Sequence, residues 1–187
     1  NILEVGLNAS DKNKAITKKL LQDFTQSKGL SYNQDNHYDL ISAFIKSMRG
    51  SDPNATVYWL ARMLKGGEGP EFIARRLIIF ASEDVGNADP QALILATSCL
   101  EPVKFVGMPE ARIILSHVCT YLATAPKSNA AYLAINKANK LIESGKLFEV
   151  PRHLKDSSYS SAKKLGFGAG YKYPHNYPFS IVKQEYL

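Results

Sequence analysis

Residues 46–64 read KSMRGSDPNATVYWLARML. Lys46 and Arg49 stand three apart, so on a helix they share one face near its C-terminal end. Gly50 then stops that helix, and Asp52 offers an N-cap. Pro53 takes the first helical position, where its missing N–H costs nothing. A hydrophobic run follows. The stretch therefore reads as the end of one helix and the start of the next. Lys46 and Arg49 keep two readings: cations that complement a helix C-terminus or pair with acids of a neighbouring helix or subunit, or ligands for a phosphate of nucleotide or nucleic acid.

The same punctuation recurs along the chain. GEGPEF repeats it at Pro70, NADPQA at Pro90 with Asp89 as cap, and GMPEAR at Pro109; APKSNA resembles them at Pro126, with Ser128 as the cap. These prolines stand 17, 20, 19 and 17 residues apart. Each interval holds one helix of about three turns and a short connection. The spacing predicts helices near 39–49, 53–65, 70–82, 90–100, 109–124 and 129–144. In the first of these, Leu40, Ile41, Phe44, Ile45 and Met48 make one apolar stripe. In the last, Ala131, Ala134, Ile135, Ala138, Leu141 and Ile142 share a face, and Gly145 stops the helix. Upstream, Ile16, Leu20 and Phe24 recur at four-residue spacing between Asp11 and Gly29. No alternating strand pattern is present, and no residue-level repeat accompanies the proline spacing. The expected class is all-α, a compact helical array and not a solenoid.

After Val150-Pro151 the character changes. SSYSSAKKLGFGAGYKYPHNYPFS is rich in Gly, Ser, Tyr and Pro and supports only short helical pieces. It reads as an irregular tail that wraps a scaffold or reaches a neighbouring subunit.

With 187 residues, 45% hydrophobic and 21% charged, the chain has room for one sizeable domain with an appendage. No apolar run approaches the roughly 20 residues of a membrane span, and no signal-peptide pattern opens the chain. It begins at Asn1 without an initiator Met, as a fragment or trimmed chain would. Cys99 and Cys119 are too few for a disulfide framework and lack metal-site spacing, which points to a reducing, intracellular setting. The net charge of +6 is uneven: residues 1–36 and 37–150 each carry an excess of one cation, and residues 151–187 an excess of four. An anionic partner therefore suits the tail better than the body, although solubility explains a modest excess equally well.

Catalytic patterns are missing. LKGGEGPE lacks the Lys-Ser/Thr ending of a phosphate-binding loop, and GFGAG has no strand before it. LIIFASED (77–84) imitates the aliphatic run and paired acids of a Walker B strand, but Pro70 has just opened a helix. Glu83, Asp84 and Asp89 read instead as connector and cap residues. His117 and Cys119, two apart on a helix, point away from each other and cannot share a metal. The remaining candidates are basic: Lys46, Arg49, Arg75, Arg76, Lys163 and Lys164 for phosphate or DNA contact. Tyr58, Trp59 and Arg62 are candidates for an interface.

HYDLISAFIKSMRGSDPNATVYWLARML, EFIARRLIIFASEDVGNADPQAL, YLATAPKSNAAY and the closing YPHNYPFSIVKQEYL resemble, in order, the C-terminal region of one AAA+ ATPase family. It is the family of replication-associated recombination protein A, also called maintenance of genome stability protein A, with the Werner helicase-interacting protein as its eukaryotic relative. The resemblance runs from about His37 to the end; residues 1–36 would be a linker or lid-domain remnant. It implies a helical collar like clamp-loader C-terminal domains, assembly into a homotetramer, and a truncated protein whose Walker motifs lie upstream. ATP and Mg²⁺ would then be bound outside this chain, with no cofactor in it. The implied parent is a cytoplasmic, nucleoid-associated, DNA-stimulated ATPase of stalled forks, with single-strand DNA-binding protein as a partner. Two functions follow for the chain itself: a non-catalytic oligomerisation module, or a DNA-binding module using its basic residues.

Overall fold

A computed structural model describes residues 34–187, and of residues 34–36, 160 and 163 the backbone only. The helix expected over residues 11–29 lies outside the described residues. Helices α1 (Gln34–Arg49), α2 (Pro53–Gly66), α3 (Pro70–Phe80), α4 (Gln91–Ser98), α5 (Leu100–Val106), α6 (Ala111–Thr124) and α7 (Ala130–Glu143) follow in order, and a short α8 (Ser160–Lys164) lies in the tail. No strand occurs among the described residues. The chain is all-α, as its sequence predicts.

The prolines do most of the marking. Asp52 is extended and its carboxylate accepts the N–H of Ala55, so Pro53 opens α2 as expected. Pro70 opens α3, and Gly67, left-handed at φ 95°, closes α2 with its N–H on the Leu64 carbonyl. Asp89 accepts the Gln91 N–H at 3.1 Å and caps α4. α1 ends at Arg49 with Gly50 directly after it, as expected, and Ser51 beyond it is left-handed (φ 60°). Two expectations change. Pro109 sits in the turn before α6, after a cis Met108–Pro109 bond. The single helix expected over 90–100 becomes α4 and α5, divided at Cys99. Pro102 explains the division: it has no N–H for the Ser98 carbonyl, and its ring crowds that carbonyl.

The chain divides into two units, the first ending at Ile135 and the second spanning Asn136–Leu187. In the first unit α6 packs against each of α1 to α5. Its buried positions, Ala111, Leu115, Val118, Cys119, Leu122 and Ala123, recur at three- and four-residue spacing on one face. Phe44 and Met48 of α1, Leu60 and Met63 of α2, and Ile73, Leu77 and Phe80 of α3 complete the core. Truncating any of the large ones would cost about 2–5 kcal/mol.

The second unit contrasts with this. Among its described residues only Ala162 is buried. Polar contacts arrange the tail: the Lys172 N–H donates to Gln184 Oε1, Gln184 Nε2 donates back to the Lys172 carbonyl, and the His153 ring bonds the Glu185 carbonyl at 2.8 Å.

Burial holds both thiols, Cys99 and Cys119, above their ordinary pKa. They should therefore resist alkylation at pH 8 in the folded chain and react fully in denaturant, as mass spectrometry after timed labelling would record. The sign follows by linkage: a thiol whose pKa is raised on folding stabilises the protein below its unfolded value, about 8.5, and that stability declines as pH rises above it.

Candidate functional site

Asp84 decides how the opening stretch is used. α3 buries Ile73, Leu77, Phe80 and then Ala81, and one further turn along that face brings Asp84. There the backbone widens into a single π-helical turn, Ala81–Val85, in which Ala81, Asp84 and Val85 are buried. An ionised carboxylate in such a place needs a partner. Arg49, the last residue of α1, supplies it: Nε donates to Oδ1 at 2.5 Å and Nη2 to Oδ2 at 3.1 Å. The Asp84 side chain is 8% exposed and that of Arg49 47%. Hydrogen bonding to Asp84 raises the guanidinium pKa further.

The backbone of the same turn holds a third element. The Ser128 N–H donates to the Asp84 carbonyl at 2.8 Å, and Ser128 Oγ in turn accepts the Ala130 N–H at the start of α7. Lys127 donates to the carbonyls of Ala123 and Ala125 and to Ser51 Oγ, and burial lowers its pKa. Gly86 closes the turn at φ 52°, where a Cβ would stand 2.9 Å from the Ser128 carbonyl oxygen. Asp84, one of the two pseudo-Walker acids, is thus a joint between α1, α3 and the α6–α7 connection. Asp89 accepts the Tyr121 hydroxyl at 2.6 Å, which raises the Tyr121 pKa.

The other basic candidates are dispersed. Lys46 and Lys164 are exposed. Arg75 is exposed and lies 3.7 Å from Glu71 one turn earlier on α3. Arg76 is half-buried, and its Nε has no hydrogen-bond partner among the described residues. The side chain of Lys163 lies outside the described ones. The interface candidates do gather: Tyr58 meets Trp59 edge-on at 5.1 Å, and the Arg62 guanidinium lies 5.5 Å from the Trp59 ring centre. His117 is exposed and Cys119 buried, so the two diverge. No group of three metal-ligating side chains occurs among the described residues.

Helix α7 is the larger surprise. The sequence places Ala131 to Ile142 on one apolar face of this helix, yet α7 has no buried residue. Leu133, Ile135 and Ile142 are each more than half exposed. In the second unit Leu141, Ile142, Leu147, Phe148 and Leu187 line an open cavity of about 300 Å³. Phe179 and Ile181 are exposed further along the tail.

The sequence profile of the family described as MgsA AAA+ ATPase C terminal matches residues 50–187. The chain belongs to that family. A second profile, AAA C-terminal domain, matches residues 1–49, so the two meet in the turn after α1. The sequence-based division falls at 36/37, and the structural units meet at 135/136. Replication-associated recombination protein A of Bacillus subtilis is 47% identical over 174 residues, covering 92% of this chain and 41% of that protein. An AAA domain-containing protein of Mycobacterium tuberculosis is 53% identical over 152 residues, covering 81% and 34%. ATPase WRNIP1 of Dictyostelium discoideum is 42% identical over 175 residues, covering 92% and 20%. The chain therefore spans less than half the length of each. It matches the C-terminal domain of MgsA-type AAA+ ATPases, as the resemblance in its motifs implied.

The joint at Asp84 is testable by thermal unfolding. Arg49→Met leaves a buried carboxylate unpaired and should cost about 3 kcal/mol; Asp84→Asn, which keeps the shape, should cost about 2 kcal/mol. For a domain of this size each kcal/mol lowers Tm by about 2–4 °C. Gly86→Ala should destabilise by about 1–3 kcal/mol through its backbone conformation and the Ser128 carbonyl.

Proposed function

We propose that this chain is the homotetramerisation domain of a DNA-dependent AAA+ ATPase that acts in replication-fork maintenance, recombination and DNA repair. One observation carries the reading: α7 is amphipathic and buries no residue within the chain. Contiguous apolar surface rimmed by polar residues marks a protein interface. Within the second unit, Leu141 and Ile142 of α7 line an open cavity with Leu147, Phe148 and Leu187. Such a surface suits another copy of the same chain, because a closed symmetric assembly covers every apolar face with its equivalent.

In this reading the chain has no catalytic activity of its own, and ATP and Mg²⁺ are bound in the ATPase core of the longer protein. The names of the relatives support the setting, since several are replication-associated recombination proteins. The longer protein acts on single-stranded or forked DNA, with single-strand DNA-binding protein as a partner, in the cytoplasm at the nucleoid. Among the described residues no helix is long and apolar enough to cross a membrane.

A second reading, direct DNA contact by this chain, is supported by the exposed Lys46 and Lys164 and by the excess of cations in residues 151–187. Arg49 is less suited to it, because a phosphate that captured its guanidinium would leave Asp84 uncompensated.

Light scattering should give a four-chain species at micromolar concentration for this 20.7 kDa chain. Ile135→Asp combined with Ile142→Asp should reduce it to monomers with unchanged helical circular dichroism. A wild-type monomer overturns the proposal. For the second reading, affinity for single-stranded or forked DNA should fall linearly in log–log form with salt, with a slope of about −0.7 per neutralised phosphate on single strands. Undetectable binding at low ionic strength rejects it.

A further inference from the structure

Outside the joint and the α7 surface, the first unit holds an open groove of about 620 Å³ between α2 and α6. Its walls come from the flanks the two helices turn outward once their core positions are used. α2 presents Val57, Ala61 and Leu64, spaced by four and three residues; the α6 side presents Met108, Ile113 and Ser116. From Val57 to Leu64 the groove runs about 10 Å, two helical turns. A cleft between two packed helices accepts a third amphipathic segment with apolar anchors at i, i+3 or i+4, and i+7.

Charge selects among possible occupants. Among the described residues no Asp or Glu lines the groove, whereas Lys65, Arg112 and His117 do. Neither Lys65 nor Arg112 has an ion-pair partner among the described residues. The amphipathic stretches of this chain carry the wrong sign for such a rim. Residues 11–29 hold five Lys against two acids, and α7 holds Lys137 and Lys140 against Glu143. A second copy docking by either stretch would set cation against cation.

We propose that the α2–α6 groove is a docking site for a short acidic, amphipathic peptide segment of another protein. Its apolar side chains would sit along Val57, Ala61, Leu64 and Ile113, and its carboxylates would meet Lys65 and Arg112. This goes beyond assembly of the chain with itself and does not depend on it.

The test uses the full chain and a fluorescein-labelled twelve-residue peptide with Leu or Phe at positions i, i+3, i+4 and i+7 and Glu elsewhere, followed by anisotropy. The acidic peptide should bind, and the same peptide with Lys for Glu should bind at least about tenfold more weakly. Lys65→Glu with Arg112→Glu should reverse that preference, an outcome that general loss of folding would not produce. Ala61→Trp, at an exposed position, should fill the groove and abolish binding of the acidic peptide while circular dichroism is unchanged. No binding of the acidic peptide, or binding indifferent to Ala61→Trp or to the charge reversal, overturns the proposal. It is also overturned if Ala61→Trp dissociates a multimer of the chain and wild-type protein ignores the peptide, since the groove would then be an interface between copies.

Discussion

The buried carboxylate of Asp84 constrains the first unit more than any apolar contact does. An apolar side chain at that place would be satisfied by any close neighbour. A carboxylate requires a cation with a specified position and orientation, and only a residue at the end of α1 meets it here. The pair therefore fixes where α1 must stop relative to α3, and hence the turn through which Gly50, Ser51 and Asp52 lead into α2. The Asp84 carbonyl, bonded to Ser128, fixes where the connection from α6 arrives. Buried pairs of this kind gain little over a well-packed apolar alternative, so specificity of arrangement is the better account of this one. The π-helical turn belongs to the same requirement, because it places Asp84 and the adjacent Val85 inward together.

Much of the fold is legible in the chain because its punctuation is local. The Asp52, Asp89 and Ser128 side chains cap through hydrogen bonds within three residues of themselves, and Pro53 and Pro70 act through their own ring geometry, so the starts of α2, α3, α4 and α7 can be read without knowing what they pack against. Pro102 was equally local, and its effect on the Ser98 carbonyl follows from the same rule as the other prolines. It is overlooked when prolines are treated only as starting marks. The residue in left-handed conformation after α1 is harder to read: Gly50 and Ser51 are adjacent, and the three backbone bonds that close the turn choose between them.

The site is less legible than the fold. The stripe Ile73, Leu77, Phe80, Ala81 extends in register to Asp84, so the burial of a carboxylate could have been read from helical periodicity. Its partner could not, since Arg49 lies 35 residues earlier and nothing in the spacing separates it from Lys46 or Arg62. α7 fails in the opposite direction. Its periodicity correctly gives an amphipathic helix, but periodicity identifies an apolar face without saying whether the same chain covers it.

That uncovered face bears on why α7 is helical at all. A helix of 14 residues standing alone in water is marginal, because nucleation is costly and propagation gains little per residue. The Ser128 cap and its bond to the Asp84 carbonyl lower the cost of the first turn, and the alanines of α7 favour propagation. Those terms are worth about 1 kcal/mol per cap and a few tenths per residue. They are small beside the roughly 25 cal/mol per Å² recovered when an apolar stripe leaves water. In the proposed assembly most of the stability of α7 would then come from the neighbouring copy. Helix formation and association would be linked, and the measured stability of the second unit would rise with protein concentration by mass action. The joint at Asp84 lies in the first unit and draws on no second chain, so its contribution would not change with concentration.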